Sequence, residues 1–184
     1  MEPEDAHILD TVITVVTRYG MKRTTMADIA SATGVSRQTL YDRFGDKDGI
    51  MAAAIDLIAD RICRDLRAEF AIERDLASNL DAYFRVGVWP TYEIVNAMPD
   101  AADFEKGMGA ASAAAIRRAG EAKEAILAEV LRAHLPRNDP PPEHIARFFE
   151  QSSCQAKMSG MAREDLTQFL SVLKASTLAL ATTN

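Results

Sequence analysis

The sequence predicts an all-α protein in which an N-terminal three-helix, helix-turn-helix domain is joined by one long helix to a C-terminal helical domain. Three observations predict this. Apolar residues recur at helical spacing from Ile8 onward, and even the β-branched run Thr11 to Val16 keeps that period for three turns. Glycines 20, 34 and 45 and the cap-type residues Thr25, Ser36 and Asp46 punctuate the first fifty residues into short helices. The one clear loop is residues 136–142, where Pro140, Pro141 and Pro142 exclude helix and sheet pairing.

The elements follow in order. Pro3 and the acids Glu2, Glu4 and Asp5 suit the start of a first helix carrying Ile8, Leu9, Val12, Ile13, Val16 and Tyr19, and Gly20 suits its C-terminal cap. Thr25-Met26-Ala27-Asp28 is a capping-box pattern, with Asp in place of the usual Glu or Gln, opening a helix to about Ala32. Thr33-Gly34-Val35 is a tight connection, and Ser36 caps a second short helix, Arg37 to Phe44. Gly45 breaks it and Asp46 caps the next. From Lys47 to about Phe70, residues Ile50, Ala54, Leu57, Ile58 and Ile62 form one stripe on a helix roughly 35 Å long. Asp75 to Trp89 is helical by pattern, Pro90 kinks it or starts the next segment, and Pro99 closes a short helix from Thr91. Ala101 to Leu135 is alanine-rich, with Gly107, Gly109 and Gly120 as interruptions. Pro142 to about Ser159 and Arg163 to about Ala181 are the last two helices.

Composition bounds the function. With 184 residues, the chain is long enough to bury a core without disulfide or metal staples. The hydrophobic share of 48% and charged share of 26% exclude a wholly disordered chain. No apolar run approaches the ~18 residues of a membrane span, and the acidic start Met1-Glu2-Pro3-Glu4-Asp5 is unlike a signal peptide. Cys63 and Cys154 are too far apart in sequence for a disulfide framework or a metal knuckle, so a reducing cytoplasm is expected. The net charge of −6 argues against non-specific coating of nucleic acid. Locally the balance reverses: Arg18, Lys22, Arg23, Arg37, Arg43 and Lys47 outnumber Asp28, Asp42 and Asp46. A small basic window on an acidic body suits a protein that touches a polyanion with one face.

Residues 25–44 read as helix, glycine-containing turn, helix, the helix-turn-helix arrangement. A major groove about 12 Å wide admits one α-helix whose side chains reach base edges. The second helix divides as that task requires. Arg37, Gln38, Thr39 and Arg43 are polar, while Leu40 and Phe44, with Val35 before them, are apolar and face the first helix. Arg37 suits guanine O6 and N7, Gln38 an adenine edge, and Thr39 a thymine methyl or a phosphate. Thr25, Ser36 and Lys47 stand at helix starts, where free N–H groups and the dipole favour phosphate oxygens, and Tyr41 offers its hydroxyl to phosphate. The competing reading makes Thr25 and Ser36 caps only, Tyr41 a packing ring and the cations a solvated face. The clustering of all eight in one basic window favours DNA.

The pattern Gly20-Met21-x-x-Thr24-Thr25-Met26-x-Asp28-Ile29-Ala30, then Gly34-Val35-Ser36-x-x-Thr39-Leu40-Tyr41-x-x-Phe44-x-Asp46-Lys47, resembles the DNA-binding segment of the tetracycline-repressor (TetR) family. The likeness spans about Gly20 to Ile50. It implies an all-helical homodimer divided into residues 1–47 for DNA binding and 48–184 for ligand binding and dimerisation. It also implies phosphate contacts at Thr25, Tyr41 and Lys47, with base reading near Arg37 to Thr39. Three departures stand out: Gln38 where a small residue is common, Asp42 beside the duplex, and Gly49 in the first turn of the long helix.

The remainder carries weaker signals. By the same resemblance the last two helices pair with their copies, through Ile145, Phe148, Phe149 and Ser152 on one and Leu166, Phe169, Leu173 and Thr177 on the other. A ligand pocket is expected among the central helices, lined from Tyr83, Phe84, Trp89, Tyr92, Met98, Phe104, Met108 and Met158. His7, His134 and His144 are scattered, and no metal, dinucleotide, phosphate-loop or nucleophile-elbow pattern occurs, so neither cofactor, metal site nor catalytic residue is expected. The reading is a regulator that binds a double-stranded DNA operator as a homodimer, with repression the expected sign, and responds to a small-molecule inducer, with no membrane partner. The alternative is a helical ligand-carrier or protein-interaction module without an operator.

Overall fold

The computed structural model describes residues 3–72, 74–99, 101, 108–135 and 140–182, and among these the regular structure is entirely helical. In chain order the α-helices are α1 (Pro3–Tyr19), α2 (Met26–Thr33), α3 (Arg37–Phe44), α4 (Lys47–Phe70), α5 (Leu76–Tyr83), α6 (Trp89–Asn96), α7 (Ala110–His134), α8 (Pro142–Met158) and α9 (Arg163–Thr182). Two compact units divide them: residues 1–60 with 93–119, and residues 61–92 with 120–184. Three helices, α4, α6 and α7, contribute to both.

In the first unit the core is the inner face of α1 (Ile8, Leu9, Val12, Val15, Val16) closed by Met21, Met26, Ile29, Leu40 and Ile50, all buried. Tyr19 departs from the expected stripe: it is exposed, with the Arg18 guanidinium 5.2 Å from its ring centre, and Val15 takes the inward place. Each short helix is fixed at both ends by its own residues. Thr25 and Asp28 close a reciprocal capping box on α2, and Gly34 ends the helix with φ +73°. The Ser36 hydroxyl accepts from the Thr39 N–H to start α3. Asp46 accepts from the Gly49 N–H at 2.9 Å to start α4.

Gly49 itself is explained by space. A Cβ there would fall 2.0 Å from the Phe44 carbonyl oxygen, so the sharp passage from α3 into α4 admits only a hydrogen. Helix propensity, which disfavours Gly at this position, is overridden by tertiary geometry.

In the second unit Tyr83 and Phe149 are fully buried and meet edge to face at 5.3 Å, while Phe84 stacks on Phe149 at 5.2 Å. Leu66, Leu80, Leu127 and Leu131 are also fully buried in this unit. The expected break near Pro90 takes a different form. Residues 76–96 are helical without interruption, and a wide π-helical turn at Phe84–Val88 joins α5 to α6. Pro90 lacks an N–H and would clash with the carbonyl four residues back. The wider turn, in which the Trp89 N–H reaches the Phe84 carbonyl, precedes it directly. Gly120 lies inside α7 rather than interrupting it, and the expected loop at 136–139 falls outside the described residues. Helices α8 and α9 form within two residues of the expected bounds, with Pro142 in the first turn of α8 and Gly160, at φ +75°, between them.

Candidate nucleic-acid interface

The groove-reading division expected of α3 is present in its packing. Leu40 is fully buried, Phe44 and Val35 are half-buried, and Arg37, Gln38 and Tyr41 are exposed. Arg37 makes no ion pair or side-chain hydrogen bond among the described residues, so its fork of donors is available. Gln38 and Asp42 are not independent. The Gln38 amide donates to the Asp42 carboxylate at 2.7 Å, one helical turn away. The carboxylate that looked out of place beside a duplex therefore has a partner on its own helix.

Thr25, Ser36 and Thr39 keep their hydroxyls in the caps. Thr25 Oγ1 donates to Asp28 at 2.7 Å, and this bond holds the Asp28 carboxyl below its ordinary range. The Ser36 and Thr39 hydroxyls lie 2.9 Å apart and share one hydrogen bond. Both the capping reading and exposure to a phosphate are compatible with this geometry, because Thr25 and Ser36 remain exposed. Lys47 Nζ donates to the Lys22 carbonyl at 3.4 Å and is half-buried at the start of α4.

Arg43 is engaged elsewhere. Its guanidinium donates to Glu4 at 2.9 Å and to Asp5 at 3.1 Å, tying the end of α3 to the acidic start of α1. The Glu4 bond is the main reason its pKa is raised. Arg23, which the motif did not single out, is exposed and unpaired among the described residues, two positions before Thr25.

One further residue of this unit escaped the sequence reading. Asp48, beside Lys47, caps the start of α7 from 63 positions away. Its carboxylate accepts from the N–H groups of Gly109 (3.1 Å), Ala111 (2.8 Å) and Ser112 (3.2 Å), and from the Ser112 hydroxyl at 2.5 Å. Burial works to raise its pKa, but the bonds from Ser112, Ala111 and Gly109 together outweigh it, and the pKa is lowered. Arg118 on α7 also pairs with Asp56 on α4 at 2.7 Å. No local spacing could have announced Asp48, since its partners are brought in by the fold.

The residues expected to line a ligand pocket are dispersed. Tyr83 and Phe84 are core rings of the second unit, and Trp89 meets Tyr92 edge to face at 5.6 Å with Arg163 above it at 4.6 Å. Tyr92 donates to the Met161 carbonyl at 3.0 Å. Met98 is buried in the first unit, Met108 and Met158 are half-buried, and Phe104 lies outside the described residues. A cavity of about 630 Å³ opens instead at the end of α4, the start of α5 and the second half of α7, and none of the eight lines it. Behind Tyr83 sits a buried charged cluster. Glu150 pairs with Lys123 and accepts from the Tyr83 hydroxyl, and Lys157 is buried beside them. Burial, reinforced by Lys123, pulls the Lys157 ammonium down to about 8, and burial with the Glu150 charge pushes Tyr83 well above its ordinary range.

Of the residues expected at a dimer contact, Ile145, Phe149, Leu166, Leu173 and Thr177 are buried within the single chain. Phe148 is 60% exposed, and Ser152 and Phe169 are half-buried. Val172 and Leu180, at 66% and 46% exposure, extend the outward face of α9.

The fold and this segment define a class, the all-helical proteins that present a helix-turn-helix at the N-terminus. Residues 8–61 match the family model described as bacterial regulatory proteins, tetR family. The HTH-type transcriptional repressor ComR of Escherichia coli (strain K12) is 34% identical over 77 residues, which cover 41% of this chain and 37% of that repressor's length. A tetR-family transcriptional regulator from Streptomyces coelicolor superposes with a TM-score of 0.68 at 17% identity, over 98% of this chain and 82% of that one. A protein solved as the SmeT–triclosan complex superposes at 0.64 with 17% identity, over 97% and 91%. The N-terminal segment is thus similar in sequence to the tetR family of bacterial regulatory proteins, and the solved neighbours share the fold of the chain.

Proposed function

We propose that the chain is a cytoplasmic, ligand-responsive repressor that binds a palindromic operator as a homodimer. The observation that carries this reading is α3 itself: Leu40 is fully buried while Arg37 and Gln38 stand exposed, with the Arg37 guanidinium unpaired among the described residues. Residues 1–47 supply the DNA contacts in this reading. Arg37, Gln38 and Thr39 read bases, Thr25, Ser36, Tyr41 and Lys47 hold phosphates, and Arg23 adds a further phosphate contact. Arg43 serves mainly to anchor α3 on Glu4 and Asp5.

Residues 48–184 carry ligand binding and dimerisation. The outward faces of α8 (Phe148, Ser152) and α9 (Phe169, Val172, Leu180) make the self-complementary surface that a two-fold dimer requires, and Ile145, Phe149, Leu166, Leu173 and Thr177 back it from inside. Two copies of α3 about 34–36 Å apart would then meet successive major grooves. Repression fits the relative ComR, and a ligand fits the neighbour solved with triclosan. Both α4 and α7 pass from one compact unit to the other, so a ligand that displaces either helix changes the presentation of α3. A coupling of ~1–3 kcal/mol releases the operator by a several-fold to ~100-fold drop in affinity.

Selection of duplexes from a random pool tests the reading. The expected product is an inverted repeat bound by a particle of twice the chain mass, and Phe148→Asp with Val172→Asp should leave a monomer with weakened operator binding. Enrichment of no sequence over random duplex would reject it.

A further inference from the structure

We propose that the cavity at the end of α4, the start of α5 and the second half of α7 binds a small amphipathic zwitterion, one with an ammonium and a carboxylate at opposite ends of an apolar body. The inference rests on the ligand-responsive reading above and deepens it by naming the ligand's class and seat.

The cavity has the volume of a small-molecule site, about 630 Å³, and an apolar lining that includes Phe70, Ile126 and Val130. Its polar groups fall into two sets. Arg74 and His134 are already used. The Arg74 guanidinium donates to Glu69 at 2.8 Å, and Glu69 also holds Arg85 at 2.9 Å. The two ring nitrogens of His134 lie 2.9 Å from the Val130 carbonyl and 3.0 Å from the Arg74 carbonyl, which pins the α4–α5 connection to α7. This side of the cavity is therefore a preformed wall.

The second set is unused. Arg67 and Glu129 line the same cavity, yet neither makes an ion pair or a side-chain hydrogen bond among the described residues. They do not pair with each other. Asn79 is 3% exposed, lines the cavity and leaves its Oδ1 without a partner. A buried amide oxygen normally has a donor, and its desolvation is uncompensated here. The three groups ask for complementary chemistry: an anion for Arg67, and N–H donors for Glu129 and Asn79. A simple anion leaves Glu129 unmatched and opposed, and a simple cation meets Arg67. A molecule with both ends satisfies all three, while its apolar middle covers Phe70, Ile126 and Val130.

The test is calorimetric titration of the intact chain, without DNA, using ω-aminooctanoate, octanoate and octylamine at millimolar concentration. The zwitterion should bind roughly fivefold or more tightly than either singly charged probe, the yield expected of a partly exposed ion pair at each end. Arg67→Gln should reduce it to the level of octylamine, and Glu129→Gln to the level of octanoate. Both side chains are exposed, so the variants keep the fold, and their melting temperatures verify it. Equal binding of the three probes, no binding of any, or folded variants with unchanged affinity would overturn the inference. A gel shift with the selected operator, run on the same sample, separates the two readings. A chain that binds its operator but no zwitterion sinks this inference alone, and one that binds the zwitterion but no duplex sinks the regulator.

Discussion

Replacing Lys157 with methionine should stabilise the protein at neutral pH, and the gain should vanish as the solution is made alkaline. Lys157 is buried, and its native pKa of about 8 lies well under its ordinary value of 10.5. The groups facing it are Lys123, which opposes its charge, and Glu150 and Cys154, which favour it, with Tyr83 bonded to Glu150. Between those two pH values the unfolded chain holds a proton that the native chain has released, so stability rises with pH across the window and is lowest below it. The gap corresponds to roughly 3 kcal/mol of native-state penalty at pH 7, converted at about 1.36 kcal/mol per pH unit. Methionine keeps the length and removes the ammonium. Glu150 retains Lys123 and Tyr83, and the shift already includes the attraction between Lys157 and Glu150, so the net gain should be about 2–3 kcal/mol. Tyr83 acts in the opposite sense. Held protonated in the native state, it costs stability as the unfolded phenol ionises past its ordinary 10.0. Urea unfolding followed by circular dichroism across this range should show wild-type stability climbing above about pH 8 and turning down near 10, and the variant lacking the climb. A variant destabilised at pH 7, or one retaining the wild-type climb, would refute the reasoning.

Gly49→Ala should destabilise the N-terminal unit by about 1–3 kcal/mol by thermal unfolding, because its Cβ would overlap the Phe44 carbonyl. Helix propensity alone calls for a gain of up to ~1 kcal/mol, so the sign decides between the two. Asp48→Ala should raise amide exchange at Ala111 and Ser112 at the start of α7 and lower stability by roughly 1–3 kcal/mol. Because the native pKa of Asp48 is depressed, its contribution is full above 3.8 and is lost as pH falls through the lower native value, so the variant should show a flatter acid limb. Arg37→Ala should change the selected base at one position, while Lys47→Ala should weaken all duplexes alike and reduce the salt slope by about one. Loss of the same size on every sequence from both would refute the assigned division.

The first fifty residues were legible because their signals are local. Thr25 with Asp28, Gly34, Ser36 and Asp46 each fix a helix end through groups within three or four positions, and the helix bounds follow from them. The illegible features all depend on partners distant in sequence. Asp48 meets residues 61 to 64 positions on, and Glu150 meets Tyr83 67 positions away. The cavity escaped for a related reason. Large apolar and methionine side chains such as Tyr83, Phe84 and Met98 drew attention as a lining, but residues of that kind fill space, and these three are buried in the core. The opening is lined by residues of α4, α5 and α7 and the segment between α4 and α5, which lie up to 67 positions apart in sequence, so no local pattern announces it.

That contrast bears on how a signal would travel. The start of α4 carries Lys47 and the Asp48 clamp on α7, and its end carries Arg67. The second half of α7 carries Glu129 and His134. A ligand spanning Arg67 and Glu129 would thus hold the same two helices that Asp48 and the Arg118–Asp56 pair hold within the N-terminal unit. Linkage requires the effect to be mutual: if the zwitterion weakens operator binding tenfold, the operator must weaken zwitterion binding tenfold. Asp48→Ala should shrink both factors together while leaving zwitterion affinity without DNA unchanged. Calorimetry in the presence and absence of operator reads the coupling, and a variant that keeps the wild-type factor would show that the path does not pass through Asp48.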